Sequence, residues 1–204
     1  MNTYKAIIFD LGKVVFDLSF DRVFQFWAHA SNKKYDELKN KFRFDSTFDK
    51  FEKDDITPAE FRAEISKRLD LTLTDQAFDE GWCNLYLDTY RGIDGLLAKL
   101  RQNYQLVALT NTNIIHSEVW LTKYANTLHY FQKIFSSHEM KARKPDAKAY
   151  QIVLDYLQVK PHQTVFLDDN IDNIRAADKL GMKVILVTSY EQMTTEFQAI
   201  GVTD

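Results

Sequence analysis

The chain has 204 residues and a formal charge of −3, from 26 Lys and Arg against 29 Asp and Glu. This length suits one hydrophobic core, or one core domain with a modest appendage, and it is too short for two full-sized enzymes. Hydrophobic residues at 45% and charged residues at 27% exclude a disordered or low-complexity chain. The near-neutral charge predicts no nucleic-acid partner, because neutralising a phosphate backbone requires a basic surface.

The N-terminal segment and the single cysteine predict a protein of a reducing compartment. The first apolar run, residues 6–9, is far shorter than the ~18 residues that a membrane span needs, and the residues around it do not predict a signal peptide. We therefore expect no membrane partner and a cytoplasmic location. Cys83 has no second cysteine with which to form a disulfide, and we expect it to pack as a small hydrophobe.

Short apolar runs alternate with helical patterns over most of the chain. The runs, each the length of a buried strand, are residues 6–9, 106–109, 164–167 and 184–187. Helical periodicity occupies residues 93–100, 147–157 and 171–180, and Gly181 provides a C-terminal stop for the last of these. This alternation predicts an α/β fold with a doubly wound parallel sheet, whose ligands bind beyond the carboxyl ends of the strands.

Residues 16–88 differ from the rest, since no strand-like run interrupts them and we expect them to be helical throughout. Two aromatic-rich stripes recur at helical spacing, formed by Phe20, Val23, Phe24 and Trp27 and by Phe44, Phe48 and Phe51. Thr57 and Glu60 predict a capping box with Pro58 at the first helical position. We expect the stripes to pack in a core and the whole insert to lie as a lid over the strand ends.

Carboxylates follow two of the predicted strands. Asp10 comes directly after residues 6–9, and Asp168 and Asp169 come after residues 164–167. Two adjacent acids repel each other unless a cation lies between them. Because neighbouring parallel strands end at the same edge of a sheet, the three carboxylates can converge there. Converging carboxylate oxygens with open water positions suit Mg²⁺, and we predict a magnesium site at this edge.

A hydroxyl, an amide and a cation extend the same edge. Thr110 and Asn111 end the strand at residues 106–109, where they can donate hydrogen bonds to an anion. Lys144 adds a positive charge, and Pro145 fixes the chain just after it. With Asp10 available as a nucleophile, these groups suit a charged oxyanion and predict phosphoryl transfer.

In order and spacing, these residues resemble the four motifs of the haloacid dehalogenase-like superfamily, over essentially the whole chain. Asp10 resembles the first motif, Thr110 the second and Lys144 the third, and the fourth is carried by Asp168 with Asp169. The resemblance implies that Asp10 attacks phosphorus to form an aspartyl-phosphate. It further implies that Thr110 and Lys144 hold the phosphate and that the acids bind Mg²⁺.

The same resemblance implies how the chain is divided. A Rossmann-like α/β core would comprise residues 1–15 and 89–204. Residues 16–88 would form the family's smaller α-helical type of cap, inserted after the first strand. Such a cap closes over the substrate and determines specificity.

Position 12 departs from the family pattern. The family's phosphatases usually carry a second aspartate two residues after the nucleophile as general acid and base, and this chain has Gly12 there. The motifs are similar to a bacterial branch that includes an α-D-glucose-1-phosphate phosphatase, which implies that the missing acid does not abolish activity. Gly12 would then offer its carbonyl to the metal. Lys13, His29 and His116 are candidate proton donors, although we expect His116 to be a packing or helix-surface residue.

Three functions are compatible with these residues. The first is a Mg²⁺-dependent phosphatase for a small phosphorylated metabolite, with sugar phosphates the first choice, acting as a monomer or homodimer. The second is a metal-independent haloacid dehalogenase, which fits Gly12 because a departing halide needs no proton, but such enzymes lack the acidic pair of motif four. The third is a retired enzyme that only binds a phosphorylated ligand, and the retained nucleophile, lysine and acids argue against it.

Overall fold

The computed structural model describes residues 4–203 and contains one parallel sheet and one short antiparallel ribbon. The seven strands are β1 (Ala6–Phe9), β2 (Phe16–Leu18), β3 (Tyr86–Thr89), β4 (Gln105–Thr110), β5 (Lys133–Ser136), β6 (Thr164–Asp168) and β7 (Lys183–Leu186). The parallel sheet has the order β5-β4-β1-β6-β7, so β1 lies at its centre. All four residues of β1 are fully buried, because strands flank it on both sides and helices cover both faces.

Five helices form an insert between β2 and β3. They are α1 (Phe20–Ser31), α2 (Tyr35–Lys41), α3 (Ser46–Glu52), α4 (Pro58–Leu69) and α5 (Asp75–Cys83), and we call residues 20–83 the helical insert. The prediction that residues 16–88 are helical throughout is wrong at both ends, where β2 and β3 pair antiparallel. These strands escape detection because they are short, half-buried and mixed in polarity, which leaves little alternation to recognise.

Aromatic side chains pack between the helices of the insert, in a hydrophobic core that continues into the parallel sheet. Trp27 and Trp82 stack with centroids 5.7 Å apart, and Phe51 stacks on Phe61 at 4.1 Å. The predicted capping box of α4 is confirmed, since the Thr57 hydroxyl accepts from the backbone N–H of Glu60 while the Glu60 carboxylate accepts from that of Thr57. The two aromatic pairs join α1 to α5 and α3 to α4.

Helices cover both faces of the parallel sheet. They are α6 (Ile93–Leu100), α7 (Ile114–Lys123), α8 (Ala125–Leu128), α9 (Ser137–Met140), α10 (Ala147–Leu157), α11 (Ile171–Lys179) and α12 (Tyr190–Ala199), with a 3₁₀ turn at Pro161–Gln163. Ile7 and Phe9 of β1 pack into the core formed with α6 and α12, whereas Ala6 and Ile8 pack with α10 and α11. The predicted doubly wound α/β fold is therefore confirmed.

Gly181 and Cys83 both lie as their local sequence predicts. Gly181 follows α11 with φ of +87°, the left-handed conformation predicted for the helix stop. Cys83 ends α5 half-buried, and burial raises the pKa of its thiol to about 12. Within residues 4–203, no helix has the length and apolar character needed to cross a membrane.

Candidate active site at the carboxyl edge of the sheet

Acidic side chains from two neighbouring strands meet at the carboxyl edge of the sheet. Asp10 directly follows β1, and its backbone N–H donates to the carbonyl of Leu167 in β6 at 2.8 Å. Asp168 ends β6, and Asp169 follows it. Carboxylate oxygens of Asp10, Asp168 and Asp169 lie within 4.8 Å of one another. Three oxygen donors of this kind fit a hard divalent cation, so the residues present match the predicted magnesium site.

A buried lysine ties two of these acids together. Lys144 lies in the loop between α9 and α10 and is only 1% exposed. Its Nζ is 2.8 Å from Oδ1 of Asp10 and donates to Oδ2 of Asp168 at 2.6 Å. Burial alone would lower the pKa of Lys144, but the two carboxylates outweigh it and raise that pKa above its ordinary value. Lys144 is therefore charged at neutral pH.

Asp168 is the most heavily engaged of the three acids. Besides Lys144, it accepts from Nδ2 of Asn173 at 3.0 Å on both oxygens and from the backbone N–H of Asn170 at 2.8 Å. Asn173 was missed by sequence reasoning. Its signal was an amide on the first turn of the helix behind the acids, where a side chain can reach back to the strand end. Asp169, by contrast, is exposed.

Asp10 is held in a strongly desolvated position. Burial raises its pKa to about 7; Lys144 opposes this shift, and Asp168 and Asp169 reinforce it through their negative charge. A free carboxylic acid at this pKa would be half protonated at neutral pH. A cation placed between the carboxylates would favour the ionised form, which is the form a nucleophile needs.

The two polar residues after β4 have different positions. Thr110 ends β4 and lines the cavity above the acids, with no hydrogen-bond partner for its hydroxyl among residues 4–203. Asn111 clamps the backbone of Lys144, accepting from its N–H at 2.9 Å and donating to its carbonyl at 2.8 Å. The structure thus places Asn111 as a support for the lysine, and a direct contact between Asn111 and substrate stays a prediction.

Gly12 lies where the wall of the cavity comes closest to β2. A Cβ atom at this position would stand 2.6 Å from Cδ1 of Leu18, well inside van der Waals contact. Gly12 lines the cavity together with Lys13. Leu18 therefore occupies the space that a side chain at position 12 would need.

The three candidate proton donors have different surroundings. His116 is buried, stacks on Trp82 at 4.6 Å and has its Nε2 3.0 Å from the carbonyl of that residue. Burial lowers the pKa of His116 to about 3, so the ring is neutral and packed, in agreement with expectation. Lys13 is exposed and pairs with Asp17 at 3.3 Å. His29 is exposed on α1 and does not line the cavity.

A cavity of about 280 Å³ lies above the acids and Lys144. This volume is at the small end of ligand pockets, which fits a small metabolite. From the helical insert, the cavity is lined by Phe20, Phe44, Phe48 and Glu52. Phe24, Trp27 and Phe51 pack in the core as the stripes predict, but three other members of the stripes face the cavity, and Phe44 is 59% exposed.

The chain belongs to the haloacid dehalogenase-like hydrolases. The model of that family matches residues 4–181, which include the helical insert and each residue of the four motifs. The prediction of the family, and of a hydrolase, is confirmed. The particular bacterial branch stays a prediction.

Three similar proteins give this family membership more detail. A D-ribitol-5-phosphate phosphatase from Bacteroides thetaiotaomicron is 24% identical over 185 residues, which cover 88% of this chain and 89% of that protein. A sesquiterpene phosphatase from Aspergillus oryzae is 27% identical over 184 residues, covering 88% of each. A haloacid dehalogenase family enzyme from Bacteroides thetaiotaomicron, solved with magnesium and inorganic phosphate, superposes with a TM-score of 0.82 at 30% identity, covering 95% of this chain and 99% of that one.

Proposed function

We propose that this protein is a Mg²⁺-dependent phosphatase that hydrolyses a small phosphorylated metabolite. One observation carries the proposal: the nucleophile Asp10, the buried cation Lys144 and two further carboxylates converge beneath a single cavity. The relatives named as phosphatases, and the similar structure that binds magnesium and phosphate, support it.

In the proposed reaction, a carboxylate oxygen of Asp10 attacks phosphorus while the bond between phosphorus and the alcohol oxygen breaks. The alcohol leaves, and water then hydrolyses the aspartyl-phosphate to release inorganic phosphate and restore Asp10. Lys144 and the free hydroxyl of Thr110 hold the phosphoryl oxygens, and Asn111 keeps the Lys144 backbone in place. Charge on those oxygens is stabilised by groups that are already oriented, which is the usual source of rate in such sites.

The magnesium ion would be held by Asp10, Asp168, Asp169 and the backbone carbonyl of Gly12. When bound, it neutralises phosphate charge and keeps the carboxylates ionised. The donor set supports this assignment because three oxygens are already grouped within 4.8 Å without any rearrangement.

The leaving oxygen must receive a proton from a group other than residue 12. Neutral, buried His116 is unsuited to this role, and His29 lies outside the cavity. We assign the proton to water entering the cavity, with the exposed Lys13 on the cavity wall as the alternative donor. Proton delivery of this kind costs rate compared with a positioned carboxylic acid.

A haloacid dehalogenase is the second candidate, and the observation in its favour is Gly12. A departing halide needs no proton, so a glycine there costs nothing. The acid cluster argues against it, because without a metal ion the single charge of Lys144 would have to offset three carboxylates, of which Asp168 and Asp169 repel each other. A retired phospho-ligand binder would retain the pocket but show no turnover.

The wider predictions follow from the same proposal. The helical insert acts as the cap that closes over the substrate. The cap domain comprises residues 16–88, and the α/β core domain comprises residues 1–15 and 89–204. Sugar and polyol phosphates are the preferred substrate class, which the ribitol phosphate relative supports. A cytoplasmic location and a monomeric or dimeric state complete the proposal.

The test is release of inorganic phosphate from a panel of sugar, polyol and aryl phosphates, with Mg²⁺ and with chelator. We expect metal-dependent release by the wild type and none by Asp10→Asn, with the variant's far-ultraviolet circular dichroism unchanged. Metal-dependent release by Asp10→Asn would remove Asp10 as the nucleophile. Absence of phosphate release together with halide release from haloacids would favour the dehalogenase.

A further inference from the structure

A buried carboxylate from the helical insert faces the cavity and takes no part in the reaction described above. Glu52, the last residue of α3, is 4% exposed. It lines the cavity together with Phe48, one helical turn earlier on the same face of α3. Among the described residues of the insert that line the cavity, Glu52 alone carries a charge. The part of the cavity wall that the insert supplies is therefore aromatic with a single carboxyl group in it.

Only one of the two oxygens of Glu52 is used by the protein. Arg143 donates from Nε to Oε2 at 2.8 Å, and its Nη2 also lies 2.8 Å from Oε2. Arg143 is oriented in turn by Asp49, 2.7 Å from its Nη1. Oε1 has no hydrogen-bond partner among residues 4–203. It is not one of the solvent-inaccessible polar atoms that lack a partner, which belong to Arg68, Trp82 and His138, so Oε1 is accessible. Oε1 is thus an acceptor open to the cavity.

We propose that Oε1 of Glu52 accepts a hydrogen bond from a hydroxyl group on the alcohol part of the substrate, making Glu52 a specificity-determining residue. When Glu52 is ionised, its oxygens can only accept, so the natural partner of Oε1 is an O–H or N–H donor. The substrate that fits is a polyhydroxylated phosphate monoester, whose C–H face lies on Phe48 and Phe44 while one hydroxyl reaches Glu52. This inference rests on the proposed phosphatase function.

The burial of Glu52 indicates that its carboxyl group has a polar partner in the bound substrate. Placing a charged group in an aromatic wall is costly, and Arg143 offsets only part of that cost. Burial raises the pKa of Glu52 to about 7, with Arg143 and Lys144 opposing the shift and Asp49 adding to it. An apolar residue would suit a purely apolar substrate better. A site built to bond a hydroxyl group rejects analogues that lack it, because its own polar group is then left unpaired.

The experiment compares two five-carbon substrates, D-ribitol 5-phosphate and n-pentyl phosphate, which differ by the presence of hydroxyl groups. We expect the wild type to prefer the polyol phosphate in kcat/KM. Glu52→Leu should lower that preference at least ~10-fold, the scale of one hydrogen bond to a charged group, mainly by raising KM for the polyol phosphate. The kcat/KM for pentyl phosphate should not fall.

Two further variants separate specificity from structure. Glu52→Gln leaves an oxygen for Arg143 but replaces the free acceptor with an amide donor, so the preference should fall at least ~3-fold even if Glu52→Leu does not fold. Asp79→Asn is the matched control, since Asp79 pairs with Arg62 at 2.6 Å in the insert and does not line the cavity. Its preference should equal that of the wild type.

The outcomes distinguish this inference from the function on which it rests. Equal loss on both substrates in the Glu52 variants, or an equal loss of preference in Asp79→Asn, would show a structural role and overturn the inference. An unchanged preference in Glu52→Gln would also overturn it. Hydrolysis of 4-nitrophenyl phosphate that disappears in Asp10→Asn would uphold the phosphatase in each of those cases, and absence of phosphate release from every tested ester, D-ribitol 5-phosphate included, would remove both.

Discussion

Replacement of Lys144 by methionine tests the electrostatic arrangement of the site most directly. Lys144 is 1% exposed and lies 2.8 Å from Asp10 and 2.6 Å from Asp168. Methionine fills a similar volume but leaves two buried carboxylates without their cation. Removal of one partner from a buried ion pair typically costs about 3–5 kcal/mol, because the remaining charge is uncompensated. We expect a loss of that size in the free energy of unfolding in chelator.

The assay is thermal unfolding followed by circular dichroism, with chelator and then with Mg²⁺. For a chain of this length each kcal/mol corresponds to about 2–4 °C, so Lys144→Met should unfold about 6–20 °C below the wild type in chelator. Mg²⁺ should restore part of the difference, since it supplies positive charge to the same carboxylates. In Mg²⁺, kcat should still fall by about 10²–10³, the usual effect of losing one group that stabilises an oxyanion.

Lys148→Met is the matched control, because Lys148 is an exposed lysine at the start of α10. Its free energy of unfolding should stay within about 0.5 kcal/mol of the wild type, as is usual for surface substitutions, which corresponds to about 1–2 °C in unfolding temperature. Equal unfolding temperatures for Lys144→Met and the wild type in chelator would refute the reasoning, as would an unchanged kcat in Mg²⁺.

Three further predictions concern the metal, the pH dependence and position 12. Asp169→Ala should weaken Mg²⁺ binding in calorimetric titration without changing the free energy of unfolding in chelator. Asp168→Ala should reduce both Mg²⁺ binding and that free energy, because Asp168 is buried and accepts from three donor groups. Equal effects of the two variants on both measurements would contradict this prediction. Burial raises the pKa of the Glu52 carboxyl from its ordinary 4.5 to about 7, so between these pH values the folded state binds this proton more than the unfolded state does. The free energy of unfolding that this proton contributes is therefore lost as pH rises from 4.5 to about 7. In urea unfolding, the wild type should lose about 3 kcal/mol relative to Glu52→Gln over that interval, and parallel profiles would disprove the assignment. Gly12→Asp should lower the free energy of unfolding by about 1 kcal/mol, since its Cβ would stand 2.6 Å from the end of the Leu18 side chain, which must rotate away. An equal loss in a Leu18→Ala background would exclude this explanation.

The parts of the fold that depend on local signals were predictable from the sequence. The runs at residues 6–9 and 164–167 are buried strands, because a strand covered on both faces is apolar at every position. Strand β5 has only two apolar residues and lies at the sheet edge, so its sequence carries no comparable signal. Its existence depends on pairing with β4, which is a long-range contact.

In the candidate site too, some residues were predictable from the sequence and others were not. Asp10 and Asp168 could be placed because each follows an apolar strand and the topology of a parallel sheet brings strand ends together. Glu52 and Arg143 are 91 residues apart, and no periodicity or motif relates them. Their pairing results from how α3 packs against the loop after α9, which only the folded structure reveals.

Two consecutive residues, Arg143 and Lys144, connect Glu52 of the helical insert to Asp10 at the sheet edge. The side chain of Arg143 reaches Glu52 and Asp49 on α3, while the side chain of Lys144 reaches Asp10 beneath the cavity. Asn111 holds the backbone of Lys144 by two hydrogen bonds, so this segment has little freedom to shift. The distance between the carboxyl groups of Glu52 and Asp10 is therefore determined by the loop that contains Arg143 and Lys144. In the proposed function, a substrate that contacts both Glu52 and Asp10 must match the spacing that this loop determines, which is a physical reason to expect a narrow choice of alcohol.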